Sequence, residues 1–307
     1  MKSQNSNDCF NSRKGELSCK ESGIKHLIFS VRSFLSLLFL CTASGAWCTD
    51  PPEKISFTYE SSMIGIGKTS VYDTYLSPLK YKGAGLNLIH EQIKMAGLRN
   101  ENILAQHLFY IELADTKNPT ETAASYLGSL EYAYGLLYRF KPVQKIQFFT
   151  GLQFDGLVGG IYNTRNGNNP VTAKIHLNLN LSGMAAYRIQ IKKQPIRLRY
   201  QLIFPIAGVQ FSPEFGQSYY EIGLGANNPL LHWASFHNQF MIRSLFSVEL
   251  PLPFCTLKLA YMNAVYETQI NSLNTQILSN AFCIGFSKDI FSISGQKNKK
   301  NFQTIFD

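Results

Sequence analysis

Glu131, Asp155 and His176 are side chains that exchange protons near neutrality, and each falls in a stretch where polar and apolar residues alternate. The polar link "NTRNGNNP" (163–170) separates the stretches that carry Asp155 and His176. A pairing whose residue numbers sum to about 333 keeps the inward faces of both stretches aligned. It places Asp155 opposite Asn178 and diagonal to His176, a separation of roughly 7 Å. Glu131 falls opposite Gln153 or Asp155, depending on the turn between their strands. Carboxylates held close together favour a shared proton, and with a histidine they suit acid–base work near one end of an enclosed space. The same three residues serve equally as a polar network that fills a narrow interior.

A second constellation is basic: Arg139, Lys145, Arg188, Arg197 and Arg199. Pairing across "KKQP" (192–195) sets Arg188 opposite Arg199 and Gln190 opposite Arg197, with Arg139 and Lys145 at the same end of neighbouring strands. Like charges directly opposed are unfavourable unless acids or anions come between them. Glu249 and Asp289 are the acids on hand, which makes the cluster an internal ion-paired plug or a site for anions or an acidic partner. Beyond these two groups the chemistry is sparse. There is no C-x-x-C, H-E-x-x-H, phosphate loop or G-x-S-x-G, and hence no metal or cofactor signature. His232 and His237 stand five apart in a loop, as surface groups do.

The elements that must position these residues announce themselves by period. In "VTAKIHLNLNLSGMAAYRIQI" (171–191) one alternate set, from Val171 to Ile191, carries no charge, while Lys174, His176, Asn178, Asn180 and Arg188 fall on the other. Residues 125–140, 145–162, 196–206 and 238–250 obey the same rule. Strands usually run about 5 or 6 residues, and these are far longer. Tight Pro-bearing turns ("KPVQ", "KKQP", "PLPF") alternate with longer polar links (163–170, 210–237, 268–276), the plan of an antiparallel up-and-down transmembrane β-barrel. About ten strands are expected: 55–66, 79–95, 102–115, 125–140, 144–162, 171–191, 195–210, 238–250, 254–267 and 277–293. The first three alternate poorly, so the count ranges from about eight to twelve. Only a closed barrel satisfies every β backbone group within hydrocarbon; its apolar rows would face lipid and its polar rows a wet lumen. A secreted β-sandwich is the competing architecture, and its strands are shorter.

Residues 33–48, "SFLSLLFLCTASGAWC", are uncharged, follow Lys25 and Arg32, and end in small residues: a secretory signal peptide, too short for a membrane helix. The chain divides into an extension and signal (1–48), a barrel (49–294) and a basic tail (295–307). Much of the net charge of +9 lies in the two terminal segments, and no basic stretch with interleaved aromatics suggests nucleic acid. Cys255 shares parity with lipid-facing leucines and Cys283 with the lumen, so the two do not pair.

Two stretches, "DTYLSPLKYKGAGLNLIHEQ" (73–92) and "SYYEIGLGANNPLLHWASFHNQF" (218–240), resemble the first-loop and late-loop signatures of small outer-membrane barrels of Bacteroidetes-type bacteria. The resemblance is to the uncharacterised family known as domain of unknown function 3316, and it spans nearly all of the mature chain. It implies fold and location but brings no catalytic residue. The chain departs from the usual barrel ending, in which an aromatic residue closes the last strand, by continuing into "GQKNKKNFQTIFD". The expected function is a non-enzymatic outer-membrane barrel: a narrow channel, structural or surface-binding element with a largely plugged lumen. Its partners would be outer-membrane lipids and the barrel-assembly machinery. The alternative is an outer-membrane hydrolase or modifying enzyme using Glu131, Asp155 and His176.

Overall fold

A computed structural model of the chain describes residues 54–96, 102–143, 145–191, 194–225, 229–294 and Ile305. The signal segment and all of the tail but Ile305 lie outside the described residues. Ten long strands form the wall: β1 (Lys54–Asp73), β2 (Ser77–Met95), β3 (Ile103–Lys117), β4 (Ala124–Val143), β5 (Ile146–Asn163), β6 (Val171–Ile191), β7 (Gln194–Phe211), β9 (Gln239–Pro251), β10 (Thr256–Ile270) and β11 (Leu273–Ser294). A short strand, β8 (Leu231–Ser235), is added near one rim. Each long strand pairs antiparallel with the next, and β1 pairs with β11, so the ten long strands close into a barrel. β1 continues well past the expected end at 66, because Gly67 and Thr69 carry the inward parity on to Val71 and Asp73.

The connections depart from expectation in two places. β10 and β11 join through Asn271 and Ser272 alone, both at positive φ (53° and 60°), a two-residue turn rather than the polar loop read at 268–276. The link after β7, expected to be loop only, holds a one-turn helix, α1 (Tyr219–Gly223), closed by a capping box between Ser218 and Glu221. β7 also changes face partway. Pro205 has no N–H for the ladder, and the β6–β7 register shifts beside it, from Asn180↔Pro205 to Leu179↔Ala207. Inward parity therefore passes from Ile203 and Pro205 to Gly208 and Gln210.

Outside, the wall is apolar. Leu177, Phe154, Ile66, Phe282 and Leu152 are largely exposed, with aromatic stacks Phe140–Phe148 and Tyr126–Tyr162 near opposite ends of β4 and β5. Inside, side chains fill most of the barrel. Among the described residues the lumen is banded, and three apolar layers alternate with two ionic ones. At the end carrying both termini, Tyr59, Ile93, Leu104, Leu137 and Phe149 close around Ile305 of the tail. A middle layer gathers Met63, Ile89, Leu108, Ile203, Leu245 and Met262. Val71, Leu76, Leu127, Ile161 and Ile277 form the third, at the opposite rim, with Tyr75 and Tyr266 against it.

Candidate functional site

The ionic band nearer the loop rim contains the proposed acid–base trio. Asp155 pairs with Asn178 across β5 and β6, as the link at 163–170 implied, and His176 lies on the diagonal with its Nε2 3.5 Å from Asp155 Oδ1. Asn180 Nδ2 donates to the other Asp155 oxygen at 2.5 Å, and the His176 ring stacks on Tyr266 at 5.8 Å. Glu131 reaches this band from β4, but its cross-strand partner is Leu157, neither Gln153 nor Asp155. The turn between β4 and β5 is shorter than "KPVQ" suggested: β4 runs to Val143, and a register irregularity between Phe140 and Val143 shifts the pairing.

Glu131 is also already engaged. Arg243 of β9 grips its carboxylate with both terminal nitrogens, one at 2.7 Å, while the guanidinium lies 4.4 Å from the Tyr110 ring. Tyr110 donates to Asn87 at 2.7 Å and to Glu112 at 3.1 Å, and Glu112 accepts further from Thr69 and Ser279. A cavity of about 80 Å³ remains among Glu131, Asp155, His176, Arg243 and Tyr266. Around it Asp155 Oδ1, His176 Nδ1, Asn180 Oδ1 and Arg243 Nε make no hydrogen bond to protein. The space suits a few waters, at about 30 Å³ each, or one small polar molecule. Access from the rim is crossed by the link after β7. Tyr75 donates to Gln217 O at 2.7 Å, Ala173 N donates to the Tyr219 hydroxyl at 2.6 Å, and Asn271 Nδ2 donates to Ser212 O at 3.3 Å.

The second ionic band spans the lumen between the first two apolar layers. Arg197, Arg199 and Lys258 meet three carboxylates, Glu91, Glu249 and Asp289. Arg199 pairs with Glu91; Lys258 Nζ lies 3.4 Å from Glu91 and 3.8 Å from Glu249; Arg197 lies 2.8 Å from Glu249 and 3.4 Å from Asp289. Tyr59 donates to Glu249 and accepts from Lys258 at 3.0 Å, with the Arg199 guanidinium 5.3 Å from its ring. Gln106 donates to Glu91 at 2.5 Å and accepts from Gln153 at 2.6 Å and Gln201 at 3.0 Å, and Gln201 also donates to Ser182 at 3.2 Å. Every stave except β4 supplies a side chain. β4 supplies Gly135, and a Cβ there would overlap the Gln153 side chain that passes over it.

This band revises the basic cluster read from sequence. Arg188 stands opposite Arg197, and Arg199 opposite Ala186, two residues from the expected register, because Gln194 and Pro195 belong to β7. Arg188 and Lys145 are exposed at the terminal rim, where Arg188 N donates to Lys145 O at 3.1 Å, and they take no part in the band. Arg139 is separate too: its Nη1 donates to Ile305 O at 3.0 Å. Glu249 and Asp289, the acids on hand in the sequence, are neighbours of Arg197 because β9 pairs with β7 and closure brings β11 round.

The family described as "Protein of unknown function (DUF3316)" matches residues 33–297. The chain belongs to the DUF3316 family. None of the curated proteins matches it. Solved structures similar to this DUF3316 barrel include the transport unit of the autotransporter AIDA-I from Escherichia coli, at 8% identity and TM-score 0.41, covering 86% of this chain and 98% of that one. The outer membrane protease OmpT from Escherichia coli aligns at 8% identity and TM-score 0.44, covering 81% and 100%. The translocator domain of autotransporter NalP from Neisseria meningitidis aligns at 10% and 0.34, covering 87% and 97%.

Sequence reasoning about this DUF3316 chain missed Glu91, Lys258 and Tyr59, the centre of the lower band. They lie on β2, β10 and β1, where Ile89, Ile93 and Met262 share the inward face with the charges, so the alternation rule is blurred. The signal available was a charge at inward parity flanked by apolar residues of the same parity. Among the described residues no three His, Cys, Asp or Glu side chains come together as metal ligands. His232 contacts Asn271 at 2.9 Å, and His237 contacts Ser235 at 2.7 Å. Cys255 is free and exposed, and Cys283 is free and buried.

Proposed function

We propose that this protein is a closed, non-catalytic barrel of the outer membrane, exported by its N-terminal segment, with a permanently filled lumen and its loop rim turned outward as a binding surface. The apolar exterior supports the membrane setting, since a closed barrel keeps all backbone hydrogen bonds satisfied in lipid. The observation that carries the sealed-lumen reading is the lower ionic band, where Arg199, Glu91, Lys258 and Glu249 are each no more than 1% exposed. Among the described residues three cations face three carboxylates there, a pairing that opposes the passage of a lone ion. Purified full-length protein in a planar bilayer should show no stable conductance steps. Regular steps in the wild type would refute it.

A second reading, an outer-membrane hydrolase or modifying enzyme, draws support from the Asp155–His176 contact beside a cavity. It is weakened by the engagement of Glu131 with Arg243 and by the covered rim.

A further inference from the structure

The outer wall is not uniformly apolar at the loop rim. Lys68 on β1, Lys80 and Lys82 on β2, and Lys117 on β3 all point outward and are exposed. Lys82 and Lys117 are direct cross-strand partners, and Lys82 also pairs with Ser70, two residues along β1 from Lys68. Like charges directly opposed on a sheet repel unless an anion lies between them. None of these lysines is ion-paired among the described residues. Lys80 reaches Gln276 at 2.9 Å and lies over the Tyr72 ring. Two outward acids lie nearby: Asp115, diagonal to Lys82, and Glu267, which accepts from the Gln276 that Lys80 reaches. Directly below, on the same strands, Ile66, Leu86 and Leu113 begin the apolar wall. At the same rim the neighbouring staves carry Tyr126, Tyr162 and Val171. Four lysines outnumber the two carboxylates, and this positive excess sits where an acyl chain would give way to a headgroup.

We propose that this lysine face binds a phosphorylated glycolipid of the outer leaflet, its phosphates bridging Lys82 and Lys117 and its acyl chains lying on Ile66, Leu86 and Leu113. This rests on the membrane reading above, which places the loop rim outward. A phosphate between the two lysines removes their repulsion, and the remaining lysines widen the target to a headgroup with more than one phosphate. The apolar residues beneath fix the chains, which a free phosphate lacks.

The test uses full-length protein in detergent micelles doped with bis-phosphorylated lipid A, its dephosphorylated form or phosphatidylglycerol, with the thermal unfolding midpoint as readout. The wild type should be stabilised by the phosphorylated glycolipid well beyond either of the others. Lys82→Gln with Lys117→Gln should weaken the apparent affinity by about fivefold per lysine, while Lys145→Gln at the opposite rim leaves it unchanged. Equal stabilisation by the dephosphorylated lipid would overturn the proposal, as would equal stabilisation by phosphatidylglycerol or no effect of the double change. Heat-modifiable migration of every variant in detergent gels tests the barrel reading separately; recovery without detergent would sink that reading instead.

Discussion

Arg199 and Glu91 form an ion pair across the lumen in which each side chain is 1% exposed, and Lys258 shares the same carboxylate. Removing one partner from such a pair leaves a buried charge unmatched, at about 3–5 kcal/mol. Glu91→Gln should therefore destabilise the barrel by that order in chemical unfolding from micelles. Glu91→Leu combined with Arg199→Met leaves, among the described residues, Arg197 and Lys258 facing Glu249 and Asp289. The double variant should recover most of the loss. Additive losses would show that the pair is not coupled.

The two faces of β6 should fail differently. Leu177 is 64% exposed and its neighbour Asn178 is 1% exposed. In the proposed membrane setting Leu177→Arg places a charge in lipid, at about 2–4 kcal/mol. An empty lumen would have tolerated Asn178→Arg, but the filled one does not, so both changes should reduce folded yield in vesicles. Ser129 and Asn178 both line the acid-rich cavity, but Ser129 is only half-buried while Asn178 accepts from Gln239, so Ser129→Arg should be accepted better than either. Folded fractions on unheated gels would rank them, and equal tolerance at Asn178 and Ser129 would mean that the interior is open.

Ile305 is only 3% exposed and seals the terminal end among Tyr59, Leu137 and Phe149. Ile305→Ala should lower stability by about 2 kcal/mol, and Arg139→Gln, which loses the bond to Ile305 O, should add little to it. Independent, fully additive effects in equilibrium unfolding would argue that the two residues do not act on the same closure.

The crossing link at the rim has a pH signature. Burial pushes the Tyr75 hydroxyl up to about 12, with Tyr219 as the next cause. A raised folded-state pKa means that the protonated tyrosine stabilises the docked link fully below about 10 and progressively less up to about 12. Protease cleavage within 212–225 should stay slow at neutral pH and accelerate across that window. Tyr75→Phe, which cannot ionise, should lose the bond to Gln217 yet show a flat profile there.

The parity of the strands was legible in the sequence; their register was not. Alternation from Val171 to Ile191 assigned every side chain of β6 to its face, and a seven-residue link allowed Asp155 to be set opposite Asn178 correctly. The same logic misplaced Arg199 by two residues and Glu131 by two or four, since a slip by an even number preserves every face and only the turn length betrays it. Glu91 and Lys258 escaped notice because burial in a filled lumen selects apolar residues on the inward face too, so polarity ceased to mark it. Pro205 within a long strand was a visible sign of the irregularity beside it, and therefore of the change of face.

The banded lumen has a consequence for how the barrel assembles. Alternation penalises a slip of one residue between neighbouring staves but is blind to a slip of two. The bands are not. Sliding β7 by two against β9 would carry Arg199 beside Glu249 but leave Glu91 without its guanidinium and drive Arg197 toward the apolar layer around Phe149 and Ile305. Each stave that carries a charge must then present it at one height, and the heights agree only in a single closure of the ring. The interior works as a vernier scale, read around the circumference, that counts strand offset in steps which side-chain polarity alone cannot resolve.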